Sequence, residues 1–160
     1  SRKHGTEAPF RAWAGEPKLT DVTAFAWNKE GDLVFADRNR IWRLDGKGVV
    51  TLVGQIDGKV LEPKIWNGTD TPSIFGLAVD KDGRVIATVP HLGKVFRLEK
   101  NQKPQEIAGS ENGWRATGVD VLDDSIFLME SDSRASTSPR VRILRSDGKV
   151  KDLTAPRPAP

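Results

Sequence analysis

A pattern of four short apolar runs occurs three times along the 160-residue chain, and it restricts the fold more than any single residue does. The aligned stretches are Thr23 to Gly54 (TAFAWNKEGDLVFADRNRIWRLDGKGVVTLVG), Ile74 to Gly109 (IFGLAVDKDGRVIATVPHLGKVFRLEKNQKPQEIAG) and Ala116 to Ala155 (ATGVDVLDDSIFLMESDSRASTSPRVRILRSDGKVKDLTA). Units of this length signal a propeller or an array, because one unit hides its apolar face only against the next.

Within each repeat the runs hold four to six apolar and β-branched residues between Gly, Asp, Asn and Lys, the pattern of strands. In the first run small residues (Ala24, Gly76, Gly118) alternate with larger ones (Phe25, Leu77, Val119), which predicts a strand buried on both faces. The connectors NKEG, DKDG and LDD suit tight hairpins, with Gly31 and Gly83 free to take positive φ. Each repeat therefore reads as a four-stranded antiparallel meander, and a radial array of meanders is an all-β propeller. Blades are expected at about 21–54, 73–109 and 115–155 within one domain. FRAWAG (Phe10 to Gly15) matches the fourth runs ending at Gly54 and Gly109, so an orphan outer strand is expected at about 9–15. The tail 155–160 is proline-rich, and proline cannot donate to a sheet ladder.

The segments GLAVDKDGRVIATV, RIWRLDGKG and KVFRLE resemble NHL-repeat propellers and their six-bladed relatives, the SMP-30/gluconolactonase and strictosidine-synthase-like proteins. The resemblance covers roughly residues 21 to 155 and implies architecture far more than activity. Propeller rings hold four to eight blades, so three leave two readings: part of a longer, six-bladed propeller, or two copies supplying three blades each. An open wedge would expose two blade faces to water. The resemblance also favours an exported, periplasmic or secreted protein over a cytoplasmic one. Asn67-Gly68-Thr69 fits the N-glycosylation pattern.

Composition excludes some chemistry. Cysteine is absent, which removes disulfides, thiolate metal sites and a Cys nucleophile. No apolar run approaches the roughly 18–20 residues of a membrane-spanning helix, so no membrane partner is expected.

Strand alternation places the loops after the second and fourth runs on one end of the blades, where propellers generally bind ligands. That end collects Trp66, Asn67, Asp70, His91, Trp114, Arg115, Glu130 and Asp132, with Asp37 and Glu111 beside them. Trp66 and Trp114 could stack on apolar or sugar-like ligands, or could cap the inner strands. Trp13, Trp27 and Trp42 fall at strand positions and are assigned to packing between blades. His91 could act as a base or metal ligand, although a lone loop histidine is more often solvated. Asp37 and Glu130 close their second strands at matching positions, with Val89 between them in the series. Such carboxylates could bind Ca²⁺ or do acid-base work, or could pair with local N–H groups, Arg38 or Arg134.

Three functions follow. The first is a non-catalytic scaffold presenting its loop face to a protein, peptide or small ligand, without a cofactor. The second, implied by the SMP-30-like resemblance, is a metal-dependent lactone or ester hydrolase. In that family an Asn before an inner strand helps hold the metal, and here Phe75 and Thr117 stand in the corresponding places. No G-x-S-x-G elbow, H-E-x-x-H pair, P-loop or dinucleotide fingerprint occurs. The third is RNA binding, which some NHL propellers perform on a basic face. Net charge is +3, and Arg40, Lys94 and Arg140 align, as do Arg43 and Arg97, into a possible basic stripe. The same cations could equally serve to discourage edge pairing.

Overall fold

The computed structural model describes residues 17–61, 70–111, 113–132, 139–146 and 149–153. Three four-stranded antiparallel sheets follow one another in the chain, each a meander in sequence order. The first blade is β1 (Val22–Trp27), β2 (Leu33–Asp37), β3 (Arg40–Leu44) and β4 (Val50–Gln55). The second is β5 (Gly76–Val79), β6 (Val85–Val89), β7 (Lys94–Leu98) and β8 (Gln105–Gly109), with a 3-10 turn over Pro90–Leu92. The third is β9 (Trp114–Leu122), β10 (Ser125–Asp132), β11 (Arg140–Arg145) and β12 (Val150–Asp152). Phe10 to Gly15, the proposed orphan strand, and the tail from Thr154 lie outside the described residues.

The hairpin chemistry appears where the turns demand it. Gly31 and Gly83 follow β1 and β5 with φ of 84° and 78°, a region an L side chain enters only with strain. The third-to-fourth pairing slips at equivalent points in two blades, between Ile41 and Trp42 and between Val95 and Phe96. Such a slip bends the outer part of a blade and increases its twist.

Two cores join the blades. Val34, Ala36 and Ile41 of the first blade meet Leu77, Val85, Ala87, Val89, Phe96 and Leu98 of the second. On the opposite face of the second blade, Ile86 and Val95 meet Ala116, Ile126 and Leu128 of the third. Consequently every residue of β6 is buried, odd-numbered side chains toward one neighbour and even-numbered toward the other. Each fully buried Ile, Leu or Val of this kind stabilises by about 1.5–3 kcal/mol relative to exposure.

The inner strands β1, β5 and β9 lie side by side. A Cβ at Gly76 would lie 3.0 Å from both Gly118 Cα and Val119 N, so this approach requires the absence of a side chain. Burial of the first run on both faces holds for β5, three of whose four residues are buried, but not for β1 or for Gly118, Val119, Asp120 and Val121 of β9. Phe25 and Trp27 are 68% and 63% exposed, because among the described residues no blade covers the outward face of the first sheet. Among the described residues Trp27 thus has no second blade to pack against, contrary to its assignment to packing between blades. Trp42 shares that outward face, paired to Phe35, and is half-buried, while Trp13 lies outside the described residues.

Candidate functional site at the rim between the second and third blades

In an antiparallel meander the ends of the second and fourth strands lie at one end of the sheet. At that end Asp37 and Glu130 occupy matching places, each opposite a basic residue: Asp37 faces Arg40 and Glu130 faces Arg140, with Val89 facing Lys94 between them. Asp37 is buried, and its Oδ1 accepts from the Thr20 N–H, the Thr20 hydroxyl and the Asp21 N–H at 3.0, 3.0 and 2.6 Å. Burial pushes its carboxyl up, but these donors and Arg38 outweigh burial and hold it below the usual carboxylate range.

Glu130 is fully buried and clamped by two arginines. Arg140 Nε donates to Oε2 and Arg142 Nη2 to Oε1, both at 2.7 Å. Arg142 also donates to the Gly109 carbonyl at 3.2 Å and pairs with Glu111 at 3.1 Å, which ties the third blade to the end of the second. The Arg140 guanidinium stands 4.7 Å over the Trp114 ring. Trp114 opens β9, and its backbone N–H donates to the Glu111 carbonyl at 2.9 Å.

His91 departs from the solvated histidine expected of a lone loop position: it is only 4% exposed. The 3-10 turn folds it inward, where Nδ1 accepts the Ser73 N–H at 2.7 Å and the Phe75 ring meets it edge-on at 5.3 Å. An acceptor Nδ1 places the neutral-state proton on Nε2. The His91 carbonyl accepts from the Leu61 N–H at 2.7 Å, so both ends of the connector between the first two blades are anchored on this residue. Arg115, also buried, donates from Nη1 to the Pro90 carbonyl at 3.2 Å. Burial first, then the Arg115 charge, pushes the His91 pKa below its ordinary 6.5.

That shift has a readable sign. The unfolded chain takes up a proton near pH 6.5 that the folded chain resists, so His91 lowers stability as pH falls below about 6.5. Asp37, with its lowered pKa, acts in a separate window below its ordinary 3.8. Urea midpoints measured from pH 7.5 down to 5 should decline, and His91→Asn, which retains an acceptor for Ser73, should flatten that decline.

His91, Arg115, Trp114, Glu130 and Asp132 thus converge on one junction, Asp132 lying opposite Trp114 at the end of the β9–β10 ladder. Asp70 is exposed in the connector, and Trp66 and Asn67 lie outside the described residues. Sequence reasoning did not count Arg142 among the site residues. Its signal was a break in pattern, an arginine where the other blades carry Trp42 and Phe96.

The carboxylates do not suit a divalent cation. Both Glu130 oxygens are held by arginines, and Asp37 commits Oδ1 to two backbone N–H groups and the Thr20 hydroxyl. Among the described residues no group of three or more His, Asp or Glu could hold a metal ion. Phe75 and Thr117, in the places where the SMP-30-like pattern requires Asn, contact the His91 ring and the Met129 carbonyl. The basic stripe is largely matched by carboxylates: Lys94 with Glu106 at 2.6 Å, Arg140 with Glu130, and Arg43 with Asp32 at 3.5 Å. Among the described residues no helix is long and apolar enough to cross a membrane.

No family model matches the chain, and no curated protein matches it. Solved structures do. A catalytically inactive virginiamycin B lyase from Staphylococcus aureus with quinupristin aligns with a TM-score of 0.64 at 14% identity, covering 89% of this chain and 44% of that one. A gluconolactonase from Xanthomonas campestris gives 0.61 at 17%, covering 86% and 48%. A 6-phosphogluconolactonase-like protein from Bacteroides uniformis gives 0.53 at 15%, covering 79% and 40%. The chain spans less than half the length of these relatives. At such identities the likeness is one of fold, in accord with the SMP-30-like resemblance: the chain is all-β and forms three four-stranded blades of a β-propeller.

Proposed function

We propose that the chain is a binding module that presents the rim between its second and third blades to a protein, peptide or small ligand. The observation that carries this reading is that Asp37, Glu130 and His91 each commit acceptor atoms to the chain's own donors. The groups best suited to acid-base work therefore act as braces, and a braced rim binds with little loss of conformational freedom. Arg140 covers one side of the half-buried Trp114, and Glu111 beside it is largely exposed. A planar apolar group on Trp114 with a cationic group at Glu111 is the ligand chemistry this arrangement fits.

A Trp-Lys dipeptide amide is a suitable probe. It should shift the Trp114 indole N–H signal with saturation at about millimolar concentration, worth about 4 kcal/mol. Trp114→Ala should abolish dipeptide binding read by calorimetry while leaving the unfolding free energy within about 1 kcal/mol of the parent. No shift at the rim, or loss of folding in Trp114→Ala, would refute the proposal.

A catalytic reading is favoured by the lyase and gluconolactonase among the structural relatives. Such an activity would draw acid-base groups or metal ligands from blades beyond these three. Lactone turnover by this chain with added Ca²⁺ or Zn²⁺ would support it over binding alone. RNA binding is disfavoured by the matched stripe, and retention on RNA that falls steeply with salt would restore it.

A further inference from the structure

We propose that two copies of this chain close a single propeller ring, the first blade of each packing on the third blade of the other. The first blade's outward face is an apolar hollow of about 420 Å³ lined by Leu19, Val22, Phe25, Trp27, Leu33, Phe35, Leu44 and Val50. Strand pairing shows what this face is built to receive. Phe25 faces Phe35, and Trp27 faces Leu33, which faces Leu44. In the second blade the same register holds Leu77 against Ala87, and Val79 against Val85, which faces Leu98. Those residues are the surface on which the first blade sits. The outward face of the first blade is therefore a seat for another blade, left empty by the described residues.

The third blade presents the matching surface. Met129 faces Val141 as Ala36 faces Ile41, and Phe127 faces Ile143 as Val34 faces Arg43. Val34, Ala36 and Ile41 are the residues the first blade places on the second. In the third blade their counterparts meet no further blade among the described residues, and Met129 is 49% and Leu122, at the far end of β9, 63% exposed. Gly118 lies opposite Met129 on the inner strand, and the Met129 side chain lies over it, 3.2 Å from where a Cβ would stand.

The two faces select each other: the seat repeats the register of the second blade's covered face and the third blade repeats that of the first, so a second copy offers each face the partner it is built for. The chain accounts for 44% of the lyase and 48% of the gluconolactonase, so two copies match nearly the whole of either ring. A twofold axis along the channel makes the two junctions identical and leaves no apolar face open. Without closure, the same two faces would string copies into an open chain.

Light scattering on the full chain should give twice the 17.6 kDa chain mass, without larger species. Trp27→Asp in the seat and Met129→Lys in the face it receives should each halve that mass and keep the β-sheet circular dichroism of the parent. Both positions are solvent-exposed in the single chain, so either variant alone suffices should the other unfold. A monomeric parent, an open series of oligomers, or folded variants that stay dimeric would overturn the proposal. The monomer would assign the faces to other blades of the same polypeptide.

Discussion

Replacing Glu130 by alanine should lower the unfolding free energy by about 3–5 kcal/mol in a urea titration, because it strands the buried Arg142 guanidinium and the part-buried Arg140. Arg142 is 5% exposed and Glu130 fully buried, so water cannot replace the lost carboxylate. Glu111 would remain near Arg142, but its side chain is 62% exposed and its attraction correspondingly screened. The second blade supplies the control. It builds the same three positions as Val89, Lys94 and Phe96, with an apolar pair where the third blade has Glu130 and Arg142. The double change Glu130→Val with Arg142→Phe should therefore recover most of the loss. Replacing a buried ion pair by apolar residues of similar size is often neutral or stabilising by about 1–4 kcal/mol. A loss below about 1 kcal/mol for Glu130→Ala would mean the cluster behaves as a surface ion pair.

The same cluster shows what a sequence can and cannot disclose. Strand positions were legible because apolar residues alternate with period two between turn residues, and the matched ends at Asp37, Val89 and Glu130 appear in the pairing register. The partner of Glu130 was less legible. Arg142 lies two residues along β11 from the directly opposed Arg140, and only the twist and burial of the third blade bring both arginines to one carboxylate. His91 looked like a solvated loop residue because its surroundings come from two distant parts of the chain, the Ser73 N–H and Phe75 from the preceding connector and Arg115 from the start of β9. The exposure of Trp27 follows from the place of its blade in the series and not from its local pattern, which matches that of Val79 in a covered blade.

The claim beneath all of this is that the meanders stack face to face, so that the middle blade is covered on both sides. The chain has no native cysteine, which permits a clean measurement. Single cysteines placed in turn at Val85, Ile86, Ala87, Thr88 and Val89 would be timed against a thiol reagent, with the exposed Thr51 as the reference. Stacked blades require all five to react far more slowly than the reference, since each is buried against one neighbour or the other. Fast labelling at alternate positions, at the reference rate, would mean one face of β6 is open to water, and the radial arrangement would be wrong.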